Sequence, residues 1–215
     1  REHGVHSFAV DCERIRTNIY RQMSITINNG CNDKQLVISK MQSFINMSKD
    51  VVLTNAEANR LFHVSKFSNT NESHTLSESK FSLSLLSEDG RDRFMFDFSS
   101  SSIVLRYKLQ IRANRMFPLL RLDLGGSFHD NPNQEVECAE DDPFRIIHHQ
   151  CIGKHFEIGE PHIHYYREGF EDSWAYPVPS SFKDLSDIYQ TYVDFMHLCN
   201  VVKRPNIRRS LDEFL

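Results

Sequence analysis

Apolar positions along the chain change their period twice, and the changes divide it into three parts. From Asp33 onward Leu36, Val37, Met41, Phe44, Ile45 and Met47 recur at three- and four-residue spacing, which lays one apolar stripe along a helix. Asn32 or Asp33 is placed to cap it. Thr54-Asn55-Ala56-Glu57 has the capping-box arrangement, in which hydroxyl and carboxylate satisfy orphan amides, and predicts a second helix running through Leu61. The helical part therefore covers about 11–67.

After the Ser/Asn-rich stretch 68–79 the period drops to two. Phe81, Leu83 and Leu85 alternate with polar residues, Glu88-Asp89-Gly90-Arg91 offers a turn, and Phe94, Phe96 and Phe98 alternate again, as in a β-hairpin. Ile103, Leu105, Tyr107, Leu109 and Ile111 continue on a third strand. Leu120, Leu122 and Leu124 do so on a fourth that ends at Gly125-Gly126. This β-rich part, about 79–179, predicts an antiparallel meander with one face on the core. Helical spacing then returns: Ser181 and Asp184 can cap a segment over about 181–200 in which Phe182, Leu185, Tyr189, Tyr192, Val193 and Met196 share a face. The fold class expected is α+β, a single domain over 1–215, with N-terminal helices, an antiparallel sheet and a C-terminal amphipathic helix packed on the sheet.

Composition fits this reading. Forty per cent hydrophobic residues with 16 Phe among 215 residues support a Phe-rich globular core. No apolar run approaches the roughly 18 residues of a membrane span, so a cytoplasmic protein without a membrane partner is expected. Five Cys, an odd number at wide spacing, point to reduced thiols. The net charge of −4 gives no global pull toward nucleic acid, and the one dense basic stretch, Lys203 to Arg209, reads as a solvated tail rather than a phosphate-binding arm.

Candidate chemistry gathers in one segment. Six of the 11 His lie between His129 and His164. Strand residues two apart share a face at a backbone spacing of about 6.5–7 Å, so His162, His164 and Tyr166 are expected to project together. The Leu alternation of the fourth strand leaves Arg121 and Asp123 on its polar face. If the two strands are neighbours, these five residues share one surface. The set is suited to chelating one divalent transition metal through His162 and His164, completed by Asp123, His129 or Glu168. It also suits metal-free phosphodiester cleavage by imidazole acid and base, with Arg121 or Arg167 on the phosphate. A third reading is packing alone. The loop Gly125 to Asp142 surrounds His129 and Asp130 with turn formers, as loops that position functional groups do. His148-His149-Gln150-Cys151 reads as a buried strand rather than a zinc site. The aromatics and Arg from Tyr165 to Tyr176 can stack on unpaired bases, but packing around a turn at Glu168-Gly169 is the plainer reading.

Taken together, Arg121-Leu122-Asp123-Leu124-Gly125-Gly126, His129-Asp130-Asn131-Pro132, Pro161 to Gly169 and Trp174-Ala175-Tyr176 resemble an uncharacterised prokaryotic domain family of mobile elements. They are also loosely similar to small His-x-His toxins of toxin–antitoxin pairs. The resemblance covers about 119–179. It implies a nuclease-like or phosphodiesterase-like protein of a defence or toxin system, with RNA or a nucleotide as substrate and an antitoxin or defence component as partner. The residues it points to are Arg121, Asp123, His129, His162 and His164. The alternative class is a non-enzymatic inhibitor or immunity factor that uses the same surface as an interface. His162-x-His164-x-x-x-Glu168 is also similar to the first metal motif of cupins, although no second Gly-rich His motif follows and Ala175 stands where the motif closes with Gly.

Overall fold

In the computed structural model the residues described are 53–101 and 106–209. Backbone contacts divide the chain between residues 52 and 53. The helix expected from Asp33 to Met47 lies outside the described residues, and so does much of what a single domain over 1–215 would span.

The first helix, α1 (Asn55–His63), starts where the capping box put it, with Thr54 Oγ accepting from the Glu57 amide at 3.2 Å. The Glu57 carboxylate turns to Arg60 instead of back to the cap, since Arg60 is one turn on and also pairs with Asp92. Beyond α1 come β1 (Lys66–Ser68) and β2 (Ser73–Thr75). The meander follows as β3 (Lys80–Ser87), β4 (Arg93–Ser101), β5 (Arg106–Ala113) and β6 (Phe117–Leu124). Adjacent strands pair antiparallel in sequence order. Gly90 takes φ +70° at the β3–β4 turn, a left-handed conformation that a side chain would strain.

The period-two pattern is obeyed residue by residue. Leu83, Leu85, Phe94, Phe96, Phe98, Leu109, Ile111, Leu120 and Leu122 are at most 1 % exposed, so the inner face of the sheet is a continuous apolar layer. Burial of that face is the main stabilising term, at roughly 1.5–3 kcal/mol per large side chain. A break in register between Ile111 and Arg112 leaves Leu119 as an extra residue on β6, and both Leu119 and Leu120 are buried.

Past β6 the chain forms a two-stranded ribbon, β7 (His129–Asp130) against β8 (His155–Phe156). Between them lie α2 (Arg145–His148) and a 3₁₀ turn at His149–Cys151. The buried strand expected at His148–Cys151 is therefore a helical turn instead. The Asp142 carboxylate accepts from the Phe144 amide at the start of that turn, a local bond that diverts the backbone from a strand. Next come β9 (His162–Tyr165) and β10 (Ala175–Pro177), which pair antiparallel across a turn that includes Gly169 at φ +76°. The final helix, α3 (Ile188–Leu198), begins about six residues later than its apolar spacing suggested. Asp184 instead accepts from the amide and hydroxyl of Ser186, and Asp187 becomes the cap, accepting from the Gln190 amide at 2.9 Å. Tyr192 and Phe195 of α3 pack their rings on Phe96, and Phe62 of α1 meets Tyr165 edge-on, so both helices cover the inner face.

The basic stretch after α3 is not a loose tail. It supplies β11 (Val201–Lys203), parallel to β1, and β12 (Asn206–Arg208), parallel to β2. Lys66 of β1 is fully buried, and its ammonium donates to the carbonyls of Phe62, Val64 and Cys199, tying the ends of α1 and α3 together. The main sheet has eight strands in the order β10-β9-β6-β5-β4-β3-β1-β11. Helices on one face of a largely antiparallel sheet make the fold α+β. The sheet is open, with β10 and β11 at its ends, so the described residues do not form the closed barrel that the cupin motif implied. No helix among the described residues is long and apolar enough to cross a membrane.

Candidate metal centre

The adjacency on which the sequence reading depended is present: β6 and β9 are hydrogen-bonded neighbours. Asp123 stands directly opposite His162, and Arg121 opposite His164. Because Leu122 and Ile163 take the inner face, these four side chains project together on the outer face. His164 Nε2 lies 3.5 Å and His162 Nε2 3.9 Å from Asp123 Oδ2, and one donor atom from each of the three residues lies within 4.8 Å of the others. Arg121 donates its Nε–H to Asp123 at 3.0 Å and reaches Asp172 with Nη1 at 3.0 Å. Its charge is therefore already shared between two carboxylates.

The ribbon adds a third imidazole. His129 stacks on His162 with ring centres 5.6 Å apart and meets His164 edge-on at 4.7 Å, while His162 and His164 are 5.0 Å apart. The His129 ring is held from behind, its Nε2 lying 3.0 Å from Asn131 Oδ1 and 3.1 Å from the Ser173 carbonyl. His162 is held in the same way, its Nδ1 lying 2.8 Å from the Glu160 carbonyl. Since carbonyl oxygens can only accept, each of these nitrogens carries the proton and the other ring nitrogen of each residue keeps a lone pair.

The cluster is closed to solvent, with the His162 and His164 side chains each 3 % exposed and Asp123 14 %. Burial, opposed in part by the Asp123 carboxylate, pushes His164 down to about 4. Burial tends to raise the Asp123 carboxyl, but the His164 ring and the positive charges of Arg121 and Lys108 outweigh it and hold the group at about 2. At 3.5 Å the His164–Asp123 contact is electrostatic rather than a formed hydrogen bond. Asp123 Oδ1 and both ring nitrogens of His164 are buried without any hydrogen-bond partner. Desolvation also lowers His129.

Three residues expected at this surface lie elsewhere. Tyr166 falls just beyond the end of β9, where alternation no longer sets its direction, and its hydroxyl donates to the Leu53 carbonyl at 2.6 Å. Arg167 is buried in a separate cluster, ion-paired with Asp142, with Nε and Nη2 donating to the Tyr176 hydroxyl at 3.0 and 2.7 Å. It has no guanidinium face free for a phosphate. Glu168 caps α1, accepting from the Asn55 amide at 3.2 Å while its own amide donates to Asn55 Oδ1 at 2.9 Å, and is absent from the metal-ligating set. The two-His pair is thus completed by Asp123 from the neighbouring strand, not by the Glu four residues on. Cys138, Cys151 and Cys199 are free thiols, and burial raises each above its ordinary value, which disfavours the thiolate a nucleophile needs.

Sequence reasoning missed Asn131, whose amide donates to the Ala175 carbonyl at 2.7 Å while its oxygen accepts from the Ala175 amide at 2.8 Å. One side chain thereby replaces a strand partner on the sheet edge and anchors the ribbon beside the His cluster. Its place next to His129, two residues from it, was the available signal.

The model of a family of unknown function, DUF6978, matches residues 53–201. The chain belongs to this family. The matched span contains the whole sheet as far as the start of β11, and every residue of the His–Asp cluster. No curated protein and no solved structure matches the chain.

Proposed function

We propose that this chain is a metal-binding protein that holds one divalent transition ion of the zinc class through Asp123, His162 and His164. The observation that carries the reading is the group of buried atoms left without partners, Asp123 Oδ1 and both ring nitrogens of His164. Each unsatisfied buried polar atom costs about 1–3 kcal/mol, and one ion held by Asp123 Oδ1 and one His164 nitrogen relieves two of the three. Ligand atoms at about 2.0–2.2 Å from a tetrahedral ion stand about 3.3–3.6 Å apart, close to the 3.5 and 3.9 Å between the imidazole Nε2 atoms and Asp123 Oδ2. Two nitrogens and one carboxylate favour zinc and its neighbours over calcium or magnesium, which take oxygen. With His164 at about 4 and Asp123 at about 2, both groups are deprotonated at neutral pH, as ligands must be.

Nuclease-like or phosphodiesterase-like cleavage is a second reading, favoured by the count of three ligands. Such a set leaves a coordination position for water, the position that a hydrolytic ion uses. The metal-free form of that chemistry is disfavoured, because imidazoles this buried do not reach a phosphodiester and His164 is unprotonated when an acid is needed. A protein-inhibitor role on this face finds no support in a His pair that is closed to solvent. The toxin or mobile-element setting stays an implication of the resemblance alone.

Chelator-stripped protein titrated calorimetrically with zinc is expected to bind one ion, and Asp123→Asn or His162→Ala/His164→Ala to abolish that binding. A wild-type protein that takes up neither zinc, cobalt nor manganese overturns the proposal. For the second reading, labelled RNA left intact by the zinc-loaded protein removes the nuclease activity. Cleavage that survives both chelator and the double substitution separates it from this centre.

A further inference from the structure

We infer that His129 is the fourth ligand of this centre, so that a bound ion fastens the β7–β8 ribbon to the outer face of the sheet. The inference rests on the metal-binding reading of Asp123, His162 and His164 and extends it.

The ring nitrogens carry the first part of the argument. Metal-ligating histidines characteristically donate their other N–H to a carbonyl, which fixes tautomer and orientation. His162 does so through Nδ1 to Glu160, leaving Nε2 on the side of Asp123. His129 does so through Nε2 to Ser173 and Asn131, leaving Nδ1 as its lone-pair nitrogen. The same device is used on both residues.

Spacing carries the second part. With nitrogens at about 2.0–2.1 Å from a tetrahedral ion, imidazole centres lie about 3.2 Å from it and about 5.2 Å from one another. The three ring-to-ring distances, 4.7, 5.0 and 5.6 Å, bracket that value. The His129 nitrogens themselves lie outside the 4.8 Å set formed by Asp123, His162 and His164. Closing the shell therefore takes a movement of His129 toward the other three, on a two-stranded ribbon already pinned beside them by the double hydrogen bond of Asn131 to Ala175.

Four protein ligands leave no position for water. A shell of three imidazoles and one carboxylate is the closed kind that stabilises a fold, whereas hydrolytic zinc keeps a position open. The ribbon, β6 and β9 are joined through that one ion, and the site stabilises structure rather than turning over substrate.

The test uses the full chain, stripped and then reloaded. Hydrogen exchange followed by mass spectrometry is expected to slow across 127–157 when zinc is added to the wild type. His129→Ala should still bind one zinc, at least tenfold more weakly and without that protection. Cobalt in the wild type should show the intense visible absorption of a four-coordinate ion, and His129→Ala should alter it. His129→Gln, whose amide can still donate to the Ser173 carbonyl, separates loss of a ligand from loss of that contact and should behave as His129→Ala. His155→Ala, on the same ribbon but paired with Asp130, should bind as the wild type does. If His129→Ala and His129→Gln keep wild-type affinity and protection, the inference is overturned while the three-residue site stands. If the wild type binds no ion, both fall together.

Discussion

Two buried polar clusters flank the β9–β10 hairpin, one on each side, and they are finished to different degrees. On the inner side Arg167 meets Asp142 and the Tyr176 hydroxyl, and its guanidinium lies 4.9 and 5.4 Å from the ring centres of Tyr165 and Tyr176. Asp142 also accepts from the Phe144 amide, and His148 Nδ1 shares the Tyr176 hydroxyl at 2.7 Å. Charge is matched by charge, and only His148 Nε2 and Trp174 Nε1 lack partners there. On the outer side Asp123 has Arg121, but three buried atoms around it have nothing. A buried ion pair with its charge matched is self-sufficient, whereas a buried carboxylate oxygen beside an unpaired imidazole nitrogen is a pair of ligand atoms that the proposed ion would satisfy. Burial and perturbed ionisation mark both clusters, so unsatisfied valence, rather than the shift, distinguishes them.

The sharpest way to break this comparison is to remove one charge from the finished cluster. Arg167→Met leaves Asp142 buried and unpaired, and stability in urea unfolding should drop by about 3–5 kcal/mol. Zinc should raise this variant and the wild type equally and leave the gap between them unchanged. A loss below about 1 kcal/mol, within the range of surface changes, would mean that the pair is not structural.

The unfinished cluster should instead respond to acid. His164 is held at about 4 when folded against 6.5 in its unperturbed state, so the folded protein binds fewer protons between those values. Stability from this group is therefore fully present above about 6.5 and lost as pH falls toward 4, an effect of about 3 kcal/mol for the metal-free protein. Asp123 adds a further loss below 3.8, completed near 2. Urea midpoints measured from pH 7.5 to 4 should show the decline in the wild type and a flatter profile in His164→Gln. Equal slopes would remove His164 as its source.

Zinc should act on this cluster alone. At 100 times its dissociation constant an ion that binds only the folded state stabilises by about 2.7 kcal/mol. Thermal unfolding should show that gain in the wild type and in Arg167→Met, but not in His162→Ala/His164→Ala. A gain retained by the double substitution would place the ion elsewhere.

How much of this could be read beforehand follows from what one residue's direction depends on. The inward Leu of β6 and the His-Ile-His of β9 declare their faces by period two, so Arg121, Asp123, His162 and His164 were legible as a set once the strands were taken as neighbours. Tyr166 and Arg167 were not, because β9 ends at Tyr165 and the chain turns toward Gly169, after which alternation no longer fixes direction. His129 was legible as a candidate but its mechanism was not: it arrives through a ribbon that folds over the sheet and is held by Asn131, contacts that no local period encodes. β11 and β12 escaped for a related reason. They are three residues each and pair in parallel with strands more than 130 residues earlier, which leaves only Val201 and Ile207 as buried markers.

The smallest expected effect separates the two ways of completing a His pair. A glutamate four residues past His164 is the ligand that the sequence motif suggested, whereas Asp123 is the one that strand pairing provides. Glu168 lies on the exposed side of the hairpin turn, and its carboxylate serves the first amide of α1. Glu168→Ala should therefore cost only about 0.5–1 kcal/mol, the scale of a lost helix-start contact, and calorimetry should find zinc affinity unchanged. Asp123→Asn should lose binding at nearly constant side-chain volume. The opposite outcome, affinity lost with Glu168 and kept with Asp123→Asn, would mean that the turn folds back over the His pair when the ion arrives. It would also shift the centre from the β6–β9 face to the β9–β10 turn.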